Sequence, residues 1–216
     1  MPSHTPVASP TPPPHHANKK QKEPKAQKQQ PPAAPTSAPD KAEVTLNSLD
    51  LRVGRIVSVE KHATADKLYC EMIDIGEAEP RAIASGLVHH YSLEEMHGRR
   101  LIVVANLKPR NLVGFKSNGM VLCAAKTMPD GSEKVEFIDP PVQAAVGHRV
   151  VCGSEGLVTA ALSASQVDKQ KAFEAVAVDL KVDGQGNAVW RGEALYCVGM
   201  REEACVAPTL RECVIR

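Results

Sequence analysis

From Leu49 onward the chain alternates. In LDLRVGRIVSVEK, Leu49, Leu51, Val53, Val57 and Val59 fall at a period of two, with Asp50, Arg52, Gly54, Ser58 and Glu60 between them. That period predicts a long strand with one buried face. Arg55 interrupts the apolar face and Ile56 the polar one. A break in register is therefore expected near Gly54, where glycine admits the bend or bulge that a tightly curled barrel needs. Further strands are expected at 68–75, 81–85, 100–107, 120–125, 134–138 and 149–152, with turn signals at Gly76, Asn118-Gly119, Asp130-Gly131, Asp139-Pro140-Pro141 and Gly147. One helical piece runs from Ser92 to Gly98. Ser92 can cap it, Glu95 completes a capping box, and Gly98 can end it. About five strands with one short helix between the third and fourth is the element order of an OB barrel.

The remainder of the chain has a different texture. DKQKAFEAVA at 168–177 predicts one or two helical turns, Asp183-Gly184 and Gly186-Asn187 mark a hairpin, and short strands are expected at 188–190, 194–199 and 213–216. A segment of about 60 residues is marginal as an independent core, so it is expected to pack on the barrel. Residues 1–44 are rich in Pro, Gln, Ser, Ala and Lys and cannot bury enough apolar area to offset chain entropy, which predicts disorder. The fold class expected is all-β: an OB barrel with one short helix at 45–153, a small β-rich C-terminal domain packed on it at 154–216, and a disordered tail at 1–44.

Charge changes the picture. The 216 residues carry a formal net charge of +1, but this is unevenly spread. Residues 1–47 hold six Lys against Glu23, Asp40 and Glu43, and the remainder is slightly acidic. Within the tail, NKKQKEPKAQKQQ at 18–30 reads as a solvated linker or as a loose polybasic arm that adds phosphate contacts. Between Glu95 and Asp130 there is no carboxylate, while Arg99, Arg100, Lys108, Arg110, Lys116 and Lys126 fall in that stretch. Three of these sit in NLKPRNLVGFKSNG at 106–119 beside amide and hydroxyl side chains. Lys and Arg neutralise phosphate, and Asn and Ser hydrogen-bond sugars and base edges. A local basic patch on a near-neutral protein predicts docking on nucleic acid at one place. Aromatic residues make up 3% of the chain, and only Phe115 lies in the basic stretch. Stacking on successive bases is thus not expected to dominate. A folded RNA read through shape, phosphates and hydroxyls fits better.

Other chemistry is not predicted. The longest aliphatic run is 101–105, whereas a membrane span needs about 20 apolar residues. MPSHTPVASP lacks a basic-then-apolar signal pattern, so a cytoplasmic location is expected. Cys70, Cys123, Cys152, Cys197, Cys205 and Cys213 form no C-x-x-C pair and are expected to be buried reduced thiols. His89, His90 and His97 lack partners at metal-ligand spacing. Asp183–Asn187 reads as a tight turn. Ser85 and Ser117 stand in no nucleophile elbow. No catalytic residues, metal or cofactor are expected, and the chain is not expected to be an enzyme.

Four stretches in order carry a resemblance: LDLRVGRIVSVEKHATADKLY at 49–69, SGLVHHYSLEEMHGR at 85–99, VVANLKPRNLVGFKSNGMVLCA at 103–124, and the Pro140-Pro141 turn. The chain resembles the tRNA-binding module shared by endothelial monocyte-activating polypeptide II and the C-terminal extensions of some tyrosyl- and methionyl-tRNA synthetases. Beyond 157, the segment around Lys169–Phe173, the hairpin and the run 191–200 resemble the extra domain of the polypeptide II type. The resemblance implies an OB barrel that binds the outer corner of tRNA with little sequence preference. It implies contacts at Ser85, Asn106, Lys108, Lys116, Ser117, Asn118, Gly119 and Met120. Arg110 stands where the family often has a smaller residue, and its contact is expected from charge alone. Arg52, Arg99, Arg100 and Lys126 are further expected contacts. The implied partners are tRNA and aminoacyl-tRNA synthetases of a multi-synthetase complex. The implied state is a monomeric barrel whose appended domain mimics a dimer interface. The alternative is an interaction scaffold or a cytokine-like signal, since a chemotactic fragment of the family matches RVGRIVS at 52–58; those residues read more simply as a strand.

Overall fold

The computed structural model describes residues 43–153 and 160–216. The expected tail up to residue 42, its lysine-rich stretch included, and the first part of the C-terminal segment lie outside them. The described chain is all-β with short helices, as its periodicities predict. Strand β1 (Leu51–Lys61) pairs antiparallel with β2 (Tyr69–Asp74), which pairs with β3 (Arg81–Ser85). Helix α1 (Leu93–Met96) follows, with Ser92 accepting from the Glu95 amide in a capping box and Gly98 at φ +75° just beyond it. Strand β4 (Arg100–Val104) returns along the other edge of β1.

The next elements were less legible. Between the strands expected at 100–107 and 120–125, where the sequence predicts none, stands a two-stranded ribbon, β5 (Arg110–Leu112) with β6 (Phe115–Ser117). Val113 at φ 51° and Gly114 at φ 92° turn it. Two positive φ values in succession suit the twist of a two-residue hairpin, and the Asn111 side chain accepts from the Gly114 amide at 2.7 Å. The chain then rejoins the barrel as β7 (Met120–Val121), paired with β4, continues as β8 (Cys123–Thr127) and β9 (Glu133–Phe137), and crosses back as β10 (Arg149–Val151) to the start of β1.

The C-terminal segment forms α2 (Ala164–Gln170) and α3 (Ala172–Ala177), divided at Lys171 in the left-handed region, then β11 (Leu180–Val182), β12 (Ala188–Trp190), β13 (Glu193–Ala194), β14 (Tyr196–Cys197) and β15 (Cys213–Ile215). Strand β11 was not expected from the sequence. The hairpin between β11 and β12 was, and there the Asp183 carboxylate is consumed by the amides of Gln185 and Asn187. Two strands join this segment to the barrel: β15 adds to β8, and β14 adds to β10.

Because of that docking, β1 and β4 are buried on both faces. Leu51, Val53, Ile102 and Val104 pack against Val167, Val176, Leu180, Trp190 and Ile215 of the C-terminal segment. Ile56, Leu101 and Val103 point instead into the barrel, among Tyr69, Ile73, Ile83 and Phe137. The half-buried strand expected at 49–61 is therefore half-buried only in its second part. Its break in register also falls later than Gly54, between Ile56 and Ser58. Gly54 has a different task. A Cβ there would stand 2.9 Å from Ile73 Cγ2 and 3.1 Å from Val103 Cγ2, closer than a packed interior tolerates. All six cysteines are buried with free thiols.

Candidate nucleic-acid interface

The ribbon is fastened to the barrel at its base. The Ser117 hydroxyl accepts from the Ala84 amide at 3.0 Å and donates to the Gly119 carbonyl at 3.1 Å. The Asn118 amide donates to the Ala82 carbonyl at 2.8 Å. Arg81 donates one guanidinium nitrogen to the carbonyls of Ala105 and Asn118, the two chain segments that leave and re-enter the barrel, and the other side of its fork grips Glu77 at 2.6 Å. Sequence reasoning missed Arg81, since the partners that place it at the ribbon's base are backbone carbonyls that no residue type reveals. Gly119 lies close under β4: a Cβ there would stand 3.1 Å from the Val104 carbonyl.

Alternation decides which ribbon side chains share a face. Arg110 pairs with Ser117, Leu112 with Phe115, and Asn111 with Lys116. Directly opposed residues project to one side, so Arg110, Leu112, Phe115 and Ser117 turn towards the barrel while Asn111 and Lys116 face outward. Arg110 and Lys116 are exposed, and no carboxylate among the described residues pairs with either. Their fixed positive charge is available to an anion. Lys108, at the ribbon's foot, meets Asp168 of α2 at 2.7 Å, with both side chains about half exposed, at 51% and 55%. Lys108 and, more weakly, Arg110 hold the Asp168 carboxyl below its ordinary range. Solvent screens such a pair strongly, so a phosphate can replace Asp168 at little cost.

The six cations of the basic stretch do not form one lip. Arg99 pairs with Asp139 at 2.6 Å and lies over the Phe137 ring. The Arg100 guanidinium caps the 139–145 turn, donating to the carbonyls of Pro141, Val142 and Ala144. Both sit at the start of β4, and the ribbon leaves from its end. Lys126 donates to the Arg211 carbonyl at 2.8 Å, and Arg52 pairs with Asp50 at 3.0 Å. These four cations are occupied within the protein. They answer a structural need, carbonyls and carboxylates that would otherwise be left without donors.

The uncharged positions divide likewise. Asn106 accepts from the Asp50 amide and donates to the carbonyls of Ser48 and Leu162, so it ties β1 to the C-terminal segment with no donor left over. Ser85 is buried and donates to Glu71. Glu71, 1% exposed inside the barrel, has its other oxygen without a partner, and burial pushes its carboxyl up to about 7 against the opposing effect of Ser85. Met120 is half-buried against the shared core. Ser85, Asn106, Ser117, Asn118, Gly119 and Met120 thus build the platform, and the ribbon displays the charge.

A groove of about 420 Å³ runs between the ribbon and helices α2 and α3, lined among others by Lys108, Arg110, Leu112, Met120, Asp168 and Phe173. Phe173 brings a second ring to a region in which the sequence showed only Phe115. No group of three metal-ligating side chains occurs among the described residues, and among them no helix is long and apolar enough to cross a membrane.

A family model described as a putative tRNA binding domain matches residues 51–149. The cytoplasmic methionine–tRNA ligase of Caenorhabditis elegans is 42% identical over 193 residues, covering 89% of this chain and 20% of the ligase. The aminoacyl tRNA synthase complex-interacting multifunctional protein 1 of Cricetulus griseus is 37% identical over 179 residues, covering 82% of this chain and 46% of that protein. The chain thus spans a fifth of the one and under half of the other. The crystal structure of the C-terminal domain of Plasmodium vivax p43 superposes with a TM-score of 0.66 at 32% identity, over 79% of this chain and 98% of that one. With a relative covered almost end to end and the barrel itself matched, the chain belongs to the family of putative tRNA-binding domains, in the endothelial monocyte-activating polypeptide II-like form that carries a C-terminal segment docked on the barrel.

Proposed function

We propose that this protein is a non-catalytic tRNA-binding cofactor that captures tRNA, with little sequence preference, for aminoacyl-tRNA synthetases with which it associates in the cytoplasm. The observation that carries this reading is the β5–β6 ribbon, which displays Arg110 and Lys116 with no carboxylate partner among the described residues and has Lys108 at its foot. Its exposed polar groups suit phosphate and sugar, which position a nucleic acid without reading its sequence. Arg110 and Lys116 leave opposite faces of a narrow ribbon, so a backbone that bends around the ribbon meets a cation on either side. The bent backbone at the outer corner of tRNA has that shape. A tethered site of modest affinity raises the local concentration of tRNA at a bound synthetase, and the ligase relatives, in which this module is one part of a longer chain, fit that use.

The proposed assembly state is a monomeric barrel. The outer face of β1 and β4 is strongly apolar and would favour self-association if bare, but residues of the same chain cover it. Residues 52–58 lie in β1, paired with β4 on one edge and with β10 and then β2 on the other, which supports reading the segment as a strand.

The test is a gel shift with total tRNA at about 150 mM salt, with the full chain and with a Lys108→Ala, Arg110→Ala, Lys116→Ala variant. tRNA binding that excess duplex DNA does not remove, and that the variant loses, supports the proposal. Equal binding by both proteins rejects the ribbon as the site.

A further inference from the structure

The groove between the ribbon and the C-terminal helices has a composition that a phosphate track does not need. Its barrel wall carries Leu112 and Met120, and its far wall carries Phe173, all three only partly buried. Lys108 and Arg110 stand on one rim, and Asp168 and Glu174 stand on the helical side. Its volume of about 420 Å³ falls in the range of small-ligand sites. An apolar slot with one ring and cations on a single side matches one unstacked nucleotide: base against Phe173, phosphate towards Lys108 and Arg110. The two carboxylates opposite repel a second phosphate, so a strand running through the groove is disfavoured and a single splayed nucleotide is not. A regular duplex has no base to offer, whereas loops and bulges do.

We propose that this groove is a subsite for one unpaired nucleotide of the bound RNA, built jointly by the barrel and the C-terminal segment. It rests on the reading of the ribbon as an RNA contact and adds a preference for RNA with a base out of its stack. The preference is one of shape and ring contact, so it is compatible with low sequence specificity. Phe173 is its positioning ring. Asp168 sets its threshold, because the Lys108–Asp168 pair at 2.7 Å must loosen when a phosphate arrives.

Two measurements on the full chain test this. In the first, two hairpin RNAs whose stems are closed by the same non-nucleotide linker, so that no loop base is offered, are compared, one with a continuous stem and one with a single-nucleotide bulge. The unaltered protein should bind the bulged stem on the order of tenfold more tightly, the lower part of the range for base–aromatic stacking. Phe173→Ala should abolish that preference while leaving the continuous stem bound as before, and Phe173→Tyr should keep it. Lys116→Ala should weaken both hairpins alike, and that result reports on the ribbon alone. In the second, the methionine methyl signals of the unaltered chain are followed as adenosine monophosphate is added; the Met120 methyl should shift. Equal affinity for the two hairpins, or a Phe173→Ala loss shared equally between them, overturns the proposal. So does a Met120 methyl that ignores the nucleotide and shifts instead with an apolar peptide, since the groove would then be a protein dock.

Discussion

Salt dependence separates cations that meet RNA from cations that hold the protein together. Each phosphate neutralised by Lys or Arg releases counterions and adds about 0.9 to the slope of log affinity against log salt for a duplex, or about 0.7 for a single strand. Arg110 and Lys116 have no carboxylate partner among the described residues. Replacing either with Ala should lower the slope by about 0.7 to 0.9, and replacing both by about 1.4 to 1.8. Over a fourfold rise in salt, each contact is worth roughly a threefold change in affinity. Lys108 should differ. Its charge is already met by Asp168 at 2.7 Å, so phosphate exchanges one anion for another and Lys108→Ala should change the slope by less than either single variant. Asp168→Asn frees Lys108 and should steepen the slope and tighten binding. Arg100→Ala is the control: its guanidinium serves the carbonyls of the 139–145 turn, so stability should fall and the slope should not. The assay is fluorescence anisotropy of labelled tRNA between about 50 and 200 mM salt. Unchanged slopes for Arg110→Ala and Lys116→Ala, with a lowered slope for Arg100→Ala, would refute the assignment of RNA contact to the ribbon.

Asn106→Ala strips partners from the Asp50 amide and from the carbonyls of Ser48 and Leu162. It should cost about 2 kcal/mol or more in chemical unfolding while leaving the tRNA affinity of the folded protein unchanged, and a loss of affinity without a loss of stability would return Asn106 to the interface. Gly54→Ala places a methyl against Ile73 and Val103 and should lower stability by about 1 to 3 kcal/mol, read as a drop in Tm. Glu71 carries a pH signature. Burial raises its carboxyl to about 7 in the folded state from 4.5, so the native chain holds a proton that the unfolded chain releases. Stability should fall as pH rises from about 4.5 to 7 and then level off, by an amount on the order of 3 kcal/mol. Glu71→Gln should flatten that limb, and urea denaturation across the range would show whether it does.

What was legible in the sequence was what local periodicity controls. Strand β3 and helix α1, with its cap at Ser92, follow from residues within a few positions of one another. The ribbon did not: its strands are three residues each, too short for a period to register, and its turn uses Val113 in the left-handed region, not a turn-forming pair such as Asn-Gly. The long alternation at 49–59 identified a strand but not its two covers, because the second cover comes from residues more than a hundred positions later. The candidate site shows the same limit. A run of cations without carboxylates was visible as a run, yet a charge means different things according to its partner. Asp168 lies 60 residues from Lys108, the partners of Arg100 and Lys126 are carbonyls, and so are those through which Arg81 holds the ribbon's base. Phe173 enters the site from another part of the chain, so a count of aromatics within the basic stretch underestimated what the groove offers.

The C-terminal segment cannot be treated as a lid laid over a finished module. Its strand β15 extends the β8–β9 hairpin, and Glu136 of β9 accepts from the amides of Thr209 and Leu210 at 2.8 and 2.9 Å. Burial alone would raise that carboxyl, but hydrogen bonds from Thr209, Leu210 and Lys134 outweigh burial and hold it at about 2. The same docking covers the apolar outer face of β1 and β4 and fixes α2 and α3 beside the ribbon, where Asp168 meets Lys108 and Phe173 walls the groove. Coverage and site geometry therefore have one cause. A barrel without the segment would expose Leu51, Val53, Ile102 and Val104 and would also lose one wall of the groove, while Arg110 and Lys116 would stay on a ribbon whose base is hydrogen-bonded to the barrel through Ser117 and Arg81. The general attraction to RNA belongs to the ribbon, and any discrimination among RNA shapes belongs to the join between the two parts of the chain.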